Sequence, residues 1–203
     1  MSRIGEIVET MSTGFVAESF ELNQPPALGS LILVESGSIH LYAVVTYGRT
    51  AGLDPSRHAV RQGTDTVSDA AIYREHPELE HTLRTEFGAA LVGLAVDRVI
   101  RQHLPAQPPP LHYSVQTAPA DEVRRFTDQL QYLRLLLQTR GEVPSLQVLA
   151  ANLREVFQQR GEDHDWLDRA AREAATLLKG DHEALLTVLY AIDPGEQTGG
   201  ARP

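Results

Sequence analysis

The sequence predicts an α+β protein: a small antiparallel β-barrel at the N-terminus, then an antiparallel helical bundle. Three observations carry this. Ile4 to Thr50 holds short runs rich in β-branched residues, separated by turn residues. From Ala120 onward, apolar residues recur at helical spacing in four successive segments. A proline-rich stretch, Leu104 to Leu111, lies between the two textures. The expected division is a β domain over 1–118, a bundle over 119–194 and a frayed tail over 195–203.

Four strands are expected first. They are Ile4–Glu9, Phe15–Leu22, Gly29–Glu35 and Ile39–Tyr47. A Pro-Pro turn at Asn23–Leu28 and a Ser-Gly-Ser turn at Ser36–Ser38 separate the last three. Strands joined so tightly suit a meander, which must bury one face or close into a barrel to hide its edges. Ala51 to Ser68 is polar, with two Gly and one Pro, and reads as a long loop. Ile72-Tyr73 reads as extended, and Pro77–Thr85 as a short helix that Pro77 starts. Ala89–Val96 is a continuous apolar run that suits a buried strand completing the sheet, with helix as the competing reading and Gly93 marking a bulge or a close backbone approach. Four prolines make Leu104–Leu111 a stiff, polyproline-like connector. One last strand is expected at His112–Val115.

Asp121–Thr139 predicts the first bundle helix, with Val123, Phe126, Leu130, Leu133 and Leu137 on one stripe. The second starts at Ser145 and is stopped by Gly161. The third runs from Asp163 to Leu178, with Trp166, Leu167, Ala170, Ala174 and Leu177 inward. The fourth runs from Asp181 to Ile192. Short connections between such helices argue for antiparallel neighbours.

Composition narrows the function. The chain has 203 residues, 42% of them hydrophobic, and no apolar stretch long enough to span a membrane. No signal peptide is expected from its first residues. With no cysteine, disulfides and thiolate chemistry are excluded and a cytoplasmic setting is expected. The net charge is −9, and both halves are acidic: residues 1–120 carry 8 Arg against 13 Asp+Glu. Phosphate-backbone binding needs clustered cations, so direct nucleic-acid binding is disfavoured.

The order Ile4-Gly5-Glu6-Ile7-Val8, Phe15-Val16-Ala17-Glu18, Leu28-Gly29-Ser30-Leu31-Ile32-Leu33-Val34 and Leu41-Tyr42-Ala43-Val44-Val45 resembles the HAS-barrel. That is the small β-barrel at the N-terminus of HerA-type DNA translocases and rotary ATP synthase subunits. The resemblance covers about the first 115 residues and includes the proline-rich exit. It implies ring assembly and partner docking. It also implies a protein partner: a hexameric motor ATPase of HerA type or its associated nuclease, with a rotary ATP synthase as the alternative. The ATPase domain of those families needs Gly-x-x-x-x-Gly-Lys-Ser/Thr to hold phosphates. This chain has no such motif, so ATPase activity does not carry over.

The chain is therefore expected to be a non-enzymatic accessory factor without cofactor or metal, and homo-oligomerisation is left open. Arg57 and Arg61 in the polar loop and Trp166 at the head of the third helix are the candidate partner-binding residues. Asp163, His164, Asp165 and Asp168, with His182, make the best metal-like cluster, but helix capping explains Asp163 and Asp165. A hydrolase built on these groups is a third reading. A single-strand-binding barrel is the second, and Phe15, Phe20, Tyr42 and Tyr47 would be its stacking residues.

Overall fold

Leu31-Ile32-Leu33-Val34 and Leu41-Tyr42-Ala43-Val44-Val45 are apolar at every position, a pattern that suits a strand covered on both faces. The computed structural model, which describes residues 2–54, 58–62 and 69–192, shows both covers. The strands are β1 (Arg3–Met11), β2 (Gly14–Ser19), β3 (Leu31–Ser36), β4 (Ile39–Gly52), β5 (Leu83–Val96), β6 (Val99–Arg101) and β7 (Ser114–Thr117). They run in the order β2-β1-β7-β3-β4-β5-β6, and β2 also pairs with β5. That pairing closes a six-stranded antiparallel barrel, with β6 added on the flank of β5. Ile7, Phe15, Ile32, Val34, Phe87, Leu91 and Val115 fill its interior.

The helices are α1 (Asp69–Glu75), α2 (Leu79–Thr82), α3 (Ala120–Thr127), α4 (Leu133–Leu137), α5 (Ser145–Gln159), α6 (His164–Leu177) and α7 (His182–Ile192). α3, α4, α6 and α7 gather about α5, which lies against β3 and β4. The outward side chains Leu31, Leu33, Tyr42, Val44 and Val92 share one apolar cluster with Val123, Phe126, Leu149, Leu153 and Trp166.

Two glycines set this contact. Opposite Gly93 the pairing slips: Tyr42 faces Gly93 while Ala43 faces Leu91, so Val92 is the extra residue of a bulge. A Cβ at position 93 would lie 2.8 Å from the ring of Phe126. Phe126 uses that space to stack on Tyr42 with ring centroids 4.4 Å apart. Gly29 has φ 86° and no room for a side chain against the α5 backbone at Ala151 and Asn152. Asn152, fully buried, donates to the Gly29 carbonyl at 2.8 Å and accepts from the Tyr132 hydroxyl at 3.0 Å. Burial pushes the Tyr132 phenol well above its ordinary pKa, so it stays a donor.

Several expectations are corrected. Ile72-Tyr73 is helical, within α1, instead of extended. The helix expected over Pro77–Thr85 shrinks to α2, because β5 starts at Leu83 and needs Phe87 inside the barrel. β4 runs on to Gly52 beside it, into the stretch expected as loop, and β6 is an additional strand. The helix expected over Asp121–Thr139 is broken between α3 and α4. The Gln102 side chain occupies the break: its amide donates to the carbonyls of Phe126 and Gln129, and its oxygen accepts from the Tyr132 amide. Backbone groups freed by the break are thereby satisfied. The proline-rich stretch does not leave the barrel. It leads from β6 to β7, which inserts between β1 and β3, and Thr10 Oγ1 donates to the Pro109 carbonyl at 2.7 Å. The tail over 195–203 lies outside the described residues.

Asn152→Ala strands a buried carbonyl and a buried hydroxyl together. It should lower unfolding stability by about 3 kcal/mol, read as a lower urea midpoint at unchanged slope.

Candidate protein interface

The strands that the helices leave uncovered are the place to look for a partner site. In β1, Ile7 points into the barrel, and the register against β2 slips so that Val8 is a bulge residue. Val8 is 41% exposed and Phe20, just beyond β2, is 57% exposed. Glu6, Val8, Glu18, Ser19 and Phe20 line one groove of about 340 Å³. A second groove, of about 610 Å³, shares Glu18 and Phe20 and adds Glu21, Tyr73, Glu80, His81 and Arg84.

Register aligns the charges here. Glu6 pairs with Glu18, Glu18 with Glu86, and Glu86 with Arg49 across four neighbouring strands. Like charges directly opposite each other are destabilising. Glu86 is relieved: Arg49 meets it at 2.8 Å and Arg84 at 3.1 Å, and it is buried. This bond in turn holds Arg49 above its already high pKa. Glu6 has His112 Nδ1 at 2.7 Å. Glu18, between the two, has no cationic partner among the described residues.

A third cleft, of about 510 Å³, lies between the β3–β4 turn, the β5–β6 turn and the start of α3. Its Glu122 is already engaged: it accepts from the Tyr42 hydroxyl at 2.8 Å and from Arg125 at 3.1 Å. Burial first, then this carboxylate, pushes the Tyr42 phenol far above its ordinary pKa. Ser38, His40, Asp97 and Arg98 also line this cleft.

The predicted partner residues fare differently. Arg57 lies outside the described residues. Arg61 is exposed, in a segment with neither helix nor strand. Trp166 takes the core position that its helical stripe predicts and is not an exposed partner anchor: it is fully buried, and its Nε1 donates to the Thr127 carbonyl at 2.8 Å. Arg160 lies over its ring at 5.5 Å, itself held by Asp128 and Asp163. Asp163 caps α6 by accepting from the Trp166 amide at 3.0 Å. Among the described residues, no group of three or more His, Asp or Glu is arranged to hold a metal ion. Of the four aromatics of the nucleic-acid reading, Phe15 and Tyr42 are buried and Tyr47 is half-buried. Phe20 alone is well exposed, among carboxylates. No helix among the described residues is long and apolar enough to cross a membrane.

The glutamate row escaped sequence reading, although Glu6 and Glu18 stand within the strands it identified. Which carboxylates face each other depends on register, and the bulge at Val8 sets it. No protein-family model matches the chain, and no curated protein matches it significantly.

Two outcomes check this placement. Trp166 is the only tryptophan; its native emission should be blue-shifted and resist iodide quenching, and both properties should vanish on unfolding. The Asp163 carboxyl is held below its ordinary pKa, first by the Trp166 amide and then by Arg160. A lowered folded-state pKa stabilises above the unfolded value, about 4, and that stability fades as pH falls through the folded value. The destabilisation of Asp163→Asn relative to the parent should therefore shrink between about pH 7 and about pH 3.

Proposed function

We propose that this protein is a non-enzymatic interaction and assembly module that docks a protein partner on the uncovered β1–β2 face of its barrel. One observation carries the reading: the helices cover the β3–β4–β5 side, while Val8 and Phe20 stand exposed on the other side, flanked by carboxylates. Contiguous exposed apolar surface rimmed by polar residues marks interaction sites, and Val8 and Phe20 share one groove with Glu6 and Glu18. The helices, read as an antiparallel bundle around α5, supply a second surface for a partner or a second copy.

By its resemblance to the HAS-barrel, the partner is a hexameric motor ATPase, with a HerA-type DNA-processing translocase or its nuclease first and a rotary ATP synthase second. This step rests on likeness of strand pattern, and fold alone does not fix function. A single-strand-binding role has no support in the geometry, since its stacking residues are mostly buried and the exposed one sits among glutamates.

Affinity capture from native extract with nuclease treatment tests the reading. A motor ATPase should be recovered after nuclease treatment. The double variant Val8→Ser, Phe20→Ser should lose it while keeping its thermal midpoint, since exposed substitutions cost about 0.5 kcal/mol or less each. Recovery that depends on nucleic acid, or that survives the double variant, contradicts it.

A further inference from the structure

We propose that the β1–β2 face takes a basic, apolar segment of its protein partner: an Arg or Lys set between Glu6 and Glu18, and an apolar side chain against Val8 and Phe20. This rests on the interface reading above and adds the chemistry of the occupant.

Three features point to it. Glu18 stands directly between two other carboxylates, Glu6 and Glu86. The side chains that meet this row are engaged at its ends: Arg49 and Arg84 with Glu86, and the His112 ring with Glu6. A stretch that breaks a local rule at a cost in stability is expected where function repays it. The groove beside Glu18 has Val8 and Phe20 as its apolar residues, so an incoming cation would bring its own or a neighbouring aliphatic stem into contact with them. On the other side of Phe20 the second groove presents Glu18, Glu21 and Glu80, with Arg84 turned to Glu86 and with His81. Charge complementarity therefore favours a cationic occupant. A phosphate or an acidic peptide would meet this row of carboxylates, and a second copy of this chain brings a net charge of −9.

Four acetylated, amidated peptides titrated into the isotope-labelled full chain test this by backbone amide shifts: Arg-Leu-Arg-Phe-Arg, Ser-Leu-Ser-Phe-Ser, Glu-Leu-Glu-Phe-Glu and penta-arginine. The first should give saturable shifts at Val8, Glu18 and Phe20, with affinity about tenfold above the serine peptide. Glu18→Gln should weaken it about threefold while leaving the thermal midpoint equal or higher, because a like-charge contact is removed. Phe20→Ala should weaken the serine and arginine peptides alike. Equal binding of the serine and arginine peptides at this face would overturn the basic occupant and leave the interface standing. Penta-arginine matching Arg-Leu-Arg-Phe-Arg would overturn the apolar half of the site. Stronger binding of the glutamate peptide would reverse the assignment. Absence of shifts on β1 and β2 with every peptide would contradict both the occupant and the interface.

Discussion

The constraint on which the rest of the structure depends is that β3, β4 and β5 must hide two apolar faces at once. The barrel closes over one face. The other is covered only because Tyr42, Val44 and Val92 find Phe126, Leu149 and Leu153 waiting on the helices. One point of close approach is the Tyr42–Phe126 stack in the space left by Gly93. Asn152 adds a polar tie at the other end, between Gly29 before β3 and Tyr132 before α4. Barrel and helices thus share one core cluster, and the surface left free for function is pushed to the opposite side of the barrel.

That surface is where local rules are broken. Elsewhere, buried charged groups are engaged: Glu122 by Tyr42 and Arg125, Arg160 by Asp128, Asp163 and Thr127. On β1 and β2 a carboxylate row is only partly neutralised, and Phe20 stands in water. Among the described residues, Gln159 Oε1 is the buried side-chain atom left without a hydrogen-bond partner. This face lies away from α3 to α7, with α1 and α2 contributing Tyr73, Glu80 and His81 to the groove around Phe20.

The four N-terminal strands were legible because turn residues bracket β-branched runs, and the last three helices because their apolar stripes and caps agree. Asp163 illustrates the second case: its position predicted an N-cap, and it accepts the Trp166 amide. Failures arose where tertiary pairing outranked local pattern. Leu79, Leu83 and Phe87 lie near helical spacing, yet Phe87 belongs to the barrel interior and draws β5 back to Leu83. The break between α3 and α4 depends on Gln102, some thirty residues earlier. Trp166 illustrates the limits of residue type: the same indole suits a hot spot or a core, and only its neighbours decide. The glutamate row was invisible for the same reason, since no single strand contains it.

The most direct test of the central claim is hydrogen exchange on the full chain, alone and with the captured partner bound. A partner seated on the uncovered barrel face slows exchange in Arg3–Met11 and Gly14–Ser19 and leaves α5, α6 and α7 unchanged. Protection confined to the helices, with β1 and β2 exchanging as in the free protein, would contradict it.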